Sequence, residues 1–444
     1  MKILHVLTQL PAKTGSGVYF TNLIESLDNL GYENAAVFGT ENIYQNNINA
    51  DFLKPVYYNT ESMPFNICGM SDLMPYDSTV YSKMSEEDID ALIDNFRKAL
   101  IEVKDEFNPD IVISHHLFLI TDLVREVFND KQVVGISHGT DIRQIKKHHK
   151  FLPRLTHIKN LDYVLTVTDK EDDAIINLLD INRNKIYNVG GGYNQEVFYP
   201  LEEDTDKNTI DIVYAGKISQ SKGVFELVKT LPILEKKYPQ IRLHIVGNAD
   251  LKSCRKMKEL VNHSPRLIIC HALDQEKLAN LLRQADIFVL PSYFEALGLI
   301  AIEALACHKL VVASYIEGLE KLLGEEIKNK ELIKFTELPR IYDVDKPVKE
   351  DIPGYVSRLS NNIEKQINRL DENLFTEEVN SEIQTLAWAN IGQKIINVIK
   401  NKKKYWQDKN TMVLYILSLR NDERTWWNIQ KMGTHPSNAH LMTQ

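Results

Sequence analysis

Residues 286–314 read DIFVLPSYFEALGLIAIEALACHKLVVAS. DIFVLPS is a short apolar run closing at Pro291 and Ser292, GLIAIEALA has the composition of a helix that starts near Gly298, and KLVVAS is a second strand. A strand, a crossover helix and a strand in so short a span form the βαβ unit of a parallel sheet. Two acids interrupt the apolar pattern, Glu295 and Glu303, eight positions apart. Glu295 falls in the strand–helix connection, and Glu303 lies more than a turn inside the helix.

A helix start leaves backbone N–H groups without partners and carries the positive end of the peptide dipoles, so it receives anions. Carboxylates beside such a site suit vicinal hydroxyls, each of which can donate to them. The spacing therefore suggests a sugar nucleotide. The bland alternative is that Glu295 caps the helix and Glu303 pairs with a surface base.

The same rhythm continues outward from this unit. Downstream of the polar, acidic stretch FYPLEEDTDKNTI, strand-like runs IDIVYAG, IRLHIVGN, RLIIC, DIFVLPS and KLVVAS alternate with the helical stretches VFELVKTLPILEKKY, QEKLANLLRQA and LIAIEALA. Upstream, KILHVLT, DIVISHH, VVGISHG, DYVLTVT and KIYNVGG form a first series. Near-continuous apolar strands are expected where helices cover both faces of a sheet. At 444 residues the chain exceeds what one core usually fills. The division places a doubly wound α/β domain at 1–202, a second at 203–385, and C-terminal helices at 386–444 that pack back across the first. Ligands of such sheets bind outside the carboxyl ends of the strands, here in a central cleft faced by both domains. Between Glu41 and Ser85 the rhythm lapses into an excursion rich in Asn, Pro, Tyr and Met, read either as an acceptor lid or as a surface cover. The segment EEVNSEIQTLAWANIGQKIINVIKNKKKYW reads as helical.

Composition narrows the function. A net charge of −9 without a long basic tract argues against nucleic-acid binding. Four cysteines, Cys68, Cys254, Cys270 and Cys307, show no disulfide or zinc spacing and fit a reducing cytoplasm. No apolar run approaches the ~20 residues of a membrane span. Basic clusters in IRQIKKHHKFLPRLTHIK and IKNKKKYW are expected as solvated helix faces, with peripheral contact to anionic headgroups at the inner face of the membrane as the alternative. No GxGxxG with a following acid opens either half, which disfavours a dinucleotide oxidoreductase.

Four segments together resemble retaining glycosyltransferases with the two-Rossmann GT-B fold, most of all glycosyltransferase family 4. They are FEALGLIAIEALACHKLVVAS with its E-x7-E spacing, YAGKISQSKGVFELVKTL, LHIVGNAD and NVGGGYNQEVFYP, in family order. The resemblance implies that Glu295 contacts hydroxyls of the donor sugar and that Glu303 contacts the nucleotide ribose. It also implies that the amides of Ala296, Leu297, Gly298 and Leu299 cradle the diphosphate, with Lys217 and Lys222 neutralising the leaving group. Lys217 stands where the family usually carries Arg, which keeps the charge and loses the planar fork.

In LPAKTGSGVYF, Gly15 and Gly17 match a loop that touches the acceptor and the donor diphosphate. In VVGISHGTDIRQIKKHHK, His138 matches a histidine beside the donor sugar, while Asp141 and Arg143 are candidates for the acceptor side, Asp141 also for a helix cap. His115 and His116 are read as satisfied structural histidines. No carboxylate is nominated as a nucleophile, and the resemblance implies a front-face, oxocarbenium-like path. No DxD-like metal cluster stands at a strand end, so the expected transfer is metal-independent, without a cofactor, from a UDP-sugar to a small-molecule, glycan or lipid-linked hydroxyl. The rival readings are a nucleotide-sugar epimerase on the same architecture and a noncatalytic nucleotide-sugar-binding protein.

Overall fold

The structure is a computed structural model that describes residues 1–400 except 46, 73, 202–207 and 344. The domain division near residue 203, most of the basic run IKNKKKYW and the tail 410–444 lie outside the described residues.

Two all-parallel sheets organise the chain. The first runs through β1 (Lys2–Leu7), β2 (Glu33–Thr40), β3 (Phe52–Tyr57), β6 (Ile111–His115), β7 (Gln132–Ser137), β8 (Tyr163–Thr166) and β9 (Ile186–Asn188), in the spatial order β3-β2-β1-β6-β7-β8-β9. A separate two-stranded piece, β4 (Cys68–Gly69) with β5 (Thr79–Val80), lies in the excursion. The second sheet holds β10 (Ile210–Ala215), β11 (Ile241–Val246), β12 (Leu267–Cys270), β13 (Ile287–Leu290), β14 (Leu310–Ser314) and β15 (Ile333–Thr336), in the order β12-β11-β10-β13-β14-β15. In each sheet the first strand has neighbours on both sides, β2 and β6 around β1, β11 and β13 around β10. The chain therefore leaves adjacent strands in opposite directions there, which opens the crevice where doubly wound sheets bind ligands.

Burial explains the strand composition. Every residue of β13 and β14 is buried, as a central strand covered on both faces requires. Along β1, Val6 joins the core cluster on one face, with Leu117, Phe118 and Val164, while Leu7 joins Phe20, Ile24 and Phe38 on the other. Helix Leu299–Ala306 is apolar nearly all round and buries Ala301, Ile302, Ala304, Leu305 and Ala306. Full burial of Ile302 and Leu305 contributes about 1.5–3 kcal/mol each, so the helix is anchored along its length and its N-terminus is held in place.

The excursion departs from expectation by containing β3, an edge strand. Pro55 and Lys54 obscured it: proline is confined to sheet edges because it has no N–H to donate inward, and lysine is a common edge residue. The excursion then folds over the loop after β1, where Tyr58 donates its hydroxyl to Thr8 O at 2.9 Å. The C-terminal stretch read as helical holds two helices, Glu377–Thr385 and Trp388–Ile399. The break is a backbone exchange in which Tyr193 N donates to Leu386 O at 3.1 Å and Trp388 N donates to Tyr193 O at 3.0 Å.

Candidate active site

The β10 and β13 loops at the second switch point hold the donor-side candidates. After β10, Gly216–Gly223 turns into helix Val224–Leu234, and after β13, Pro291–Gly298 turns into helix Leu299–Ala306. Two glycines fix these turns. Gly223 has φ +62°, and a Cβ there would lie 2.0 Å from Pro291 O, so it binds the two loops side by side. Gly298, with φ +69°, is the N-cap of the second helix, a left-handed position that offers no side-chain cap. Among the described residues, no protein acceptor meets the amides of Ala296, Leu297, Gly298, Leu299 and Ile300. This run of open donors starts a helix of eight residues, the setting that attracts an anion.

Charged side chains flank it. Lys222 Nζ donates to Glu295 Oε1 at 2.6 Å, and Ser292 Oγ donates to the same oxygen at 2.9 Å. Both members of the ion pair are about three-quarters buried. The ammonium of Lys217 is pushed below its ordinary range, by desolvation first and by neighbouring Lys222 second, while Glu295 opposes. Lys217, Lys222 and Glu295 thus form one electrostatic cluster. Tyr214 shapes the loop by donating its hydroxyl to Lys217 O at 2.7 Å. Glu303 stands apart from it. Desolvation alone pushes its carboxyl up to about 7, with no cation or N–H offsetting it among the described residues. Both bland readings of the acids fail here, since Gly298 is the cap and Glu303 has no surface base.

On the N-terminal side, His138 follows β7, half-buried, and its Nε2 lies 3.1 Å from His115 Nδ1. Tyr19 packs edge-on to its ring at 5.1 Å, and His116 lies 4.8 Å away. Burial, with the like charge of His116, pushes His138 down to about 3, Asp141 opposing. The ring is therefore neutral and able to donate one proton and accept another. His115 and His116 are not both satisfied: neither nitrogen of His116, nor Nε2 of His115, meets a partner among the described residues.

Three other N-terminal candidates take different positions from those expected. Asp141 is fully buried in the first turn of helix Thr140–Lys147, where it accepts from Leu117 N at 2.7 Å and from Ser137 Oγ at 3.1 Å, with the backbone of Ile142 also favouring its charge. A buried carboxylate needs such donors, and these consume it. Gly17 gives its N–H to Thr14 Oγ1 at 3.0 Å, and a Cβ there would meet Ala12 N at 2.7 Å. Its small size serves its own loop, and its amide is not free for a diphosphate. At Gly15 a Cβ would meet nothing, which leaves it the open member of the pair. Arg143 is exposed, and its charge helps to hold the Asp343 carboxyl low, behind the larger effect of the Lys346 hydrogen bond.

A short path joins the two sides. Tyr19 donates its hydroxyl to Gly190 O at 3.1 Å, and a Cβ on Gly191 would lie 3.1 Å from both Leu297 Cδ1 and Leu299 Cδ2. The loop after β8 adds Lys170 over the Phe294 ring at 5.2 Å and Asp169 accepting from Lys321 at 3.0 Å. Tyr19, Ser292, His115 and Gly190–Gly192 were absent from the sequence-derived site. The triple glycine was the available signal, because three small residues in a connection between sheets mark a close backbone approach.

Comparisons with known proteins bear on the fold and on one segment of the chain. Residues 198–339 match the family model described as glycosyl transferases group 1. A D-inositol 3-phosphate glycosyltransferase of Mycolicibacterium smegmatis is 27% identical over 179 residues, covering 38% of this chain and 41% of the relative. The chain thus matches about two fifths of that relative's length. Among solved structures, sucrose-phosphate synthase from Thermosynechococcus elongatus superposes with a TM-score of 0.64 at 18% identity, covering 90% of this chain and 99% of that one. Anabaena HepE in complex with UDP gives 0.62 at 15% identity, covering 90% and 100%. The fold is GT-B, two Rossmann-like domains.

Proposed function

We propose that this chain, whose residues 198–339 match glycosyl transferases group 1, is a retaining family 4 hexosyltransferase that moves a sugar from a UDP-sugar to a hydroxyl acceptor. The observation that carries the reading is the run of amides from Ala296 to Ile300, open among the described residues, beside Lys217 and Lys222 and bracketed by Glu295 and Glu303. A diphosphate fits the amides and the lysines, with one sugar ring facing each acid. The choice of UDP rests on HepE, a structural neighbour solved in complex with UDP.

In the proposed reaction the lysines and helix start stabilise charge on the departing phosphate, where transition-state binding counts most. Lys222 is paired with Glu295, and in the proposed donor complex the diphosphate and a sugar hydroxyl would each take one member of that pair. His138, neutral, donates a hydrogen bond into the donor-sugar pocket. The leaving phosphate accepts the acceptor's proton as the new glycosidic bond forms on the same face. Among the described residues, no group of three His, Cys, Asp or Glu is placed to hold a metal ion, and the two lysines supply positive charge at the phosphates. Steady turnover in EDTA is the expected outcome, and loss on chelation with recovery in Mn²⁺ or Mg²⁺ would show a required metal. Among the described residues, no helix is long and apolar enough to cross a membrane. A cytoplasmic enzyme with peripheral contact at most is the reading taken.

Titration calorimetry tests the role assignment. Glu303→Ala should weaken UDP binding roughly tenfold or more, the loss of hydrogen bonds to a charged group. His138→Ala should leave UDP binding within a fewfold of the parent and lower turnover. The reverse pattern would exchange the two roles. Formation of a new sugar nucleotide from donor alone, without acceptor, would favour an epimerase.

A further inference from the structure

The His115–His138 contact carries a consequence for how His138 works, resting on the reading above that His138 faces the donor sugar. The two ring planes are nearly parallel, at 16° with centroids 5.3 Å apart, and His115 Nδ1 lies 3.1 Å from His138 Nε2. Burial holds both rings neutral. Two neutral imidazoles in that contact share one proton, and its location fixes both tautomers.

His115 decides it, because its other nitrogen, Nε2, is buried without a partner among the described residues. If His138 Nε2–H were the donor, His115 would carry its proton on Nε2 and bury an orphan N–H. If His115 Nδ1–H is the donor, the orphan is a bare nitrogen, and buried N–H groups are the ones proteins least often leave unpaired. The second arrangement leaves His138 with its proton on Nδ1, the nitrogen that meets no protein partner among the described residues.

We propose that His115 is a positioning residue that donates from Nδ1 to His138 Nε2 and so fixes His138 as the Nδ1–H tautomer, which presents a hydrogen-bond donor to the donor sugar. His115 is held in place by Phe20, edge-on at 5.2 Å, and by Tyr19 at 6.1 Å. Tyr19 also touches His138 and reaches Gly190, so one side chain aligns the pair and ties it to the donor loop.

Two measurements test this. Long-range ¹H–¹⁵N spectra of the histidine-labelled full chain, with His138→Gln to assign the resonance, should show His138 with a pyrrole-type Nδ1 and a pyridine-type Nε2. The opposite assignment overturns the proposal. In the second, His115→Asn, whose amide can donate from the same place, should keep the hydrolysis rate of UDP-glucose within about threefold. His115→Asp, which can only accept, should lower kcat roughly 100-fold, the scale of one lost transition-state donor, with KM changed far less. Equal kcat in the two variants would overturn the relay. If the parent fails to bind UDP-glucose while His138 shows Nδ1–H, the donor assignment fails and the tautomer relay stands.

Discussion

Glu303 is the residue at which function and stability pull in opposite directions. Its carboxyl is raised from 4.5 to about 7 by burial, so the native state holds a proton that the unfolded chain has already lost between those values. Stability therefore falls as pH rises through that window, by about 3 kcal/mol in all. Glu303→Gln removes the slope. Urea midpoints of parent and variant should nearly coincide at pH 5, with the variant more stable at pH 8; parallel curves would mean that Glu303 is solvated. With an intact UDP-sugar, whose diphosphate does not titrate in this range, affinity should tighten above pH 7 in the parent and stay flat in the variant. The two acids stood out by their spacing in an apolar run, whereas Lys217, Lys222 and His138 were singled out through the family resemblance. The place of Asp141 was not legible, because an acid near a strand end looks the same in sequence whether it meets a ligand or a buried Leu117 N–H.

At the scale of elements, the site depends on two loops being clamped together. Gly223→Ala should cost about 2–4 kcal/mol, since it adds a strained left-handed residue and a Cβ against Pro291 O. Thermal melting should show a clear fall with donor binding lost; an unchanged melt would mean the loops can separate freely. The βαβ units were readable from their apolar runs, β13 and β14 above all, because buried parallel strands admit few polar residues. The edge strand β3 escaped because solvent on one side relaxes that rule and Pro55 is tolerated there. The break at Leu386–Ala387, beside the division read at 385/386, is imposed by Tyr193, distant in sequence.

For the whole molecule, the central feature is the path from His138 through Tyr19 to Gly190 and on to Leu297 and Leu299. It links a neutral histidine of the first sheet to the open helix start of the second. Tyr19→Phe keeps the ring and removes the hydroxyl bond to Gly190 O, so kcat should fall several-fold with little change in UDP affinity; a loss of affinity alone would place Tyr19 in nucleotide binding. The most direct test of the central claim is a crystal structure of the chain with a UDP-sugar. The diphosphate should lie within hydrogen-bond distance of the Ala296–Ile300 amides and of Lys217 and Lys222, with Glu303 on the ribose and Glu295 on the sugar. A nucleotide bound elsewhere, with both acids touching no part of it, would contradict the account.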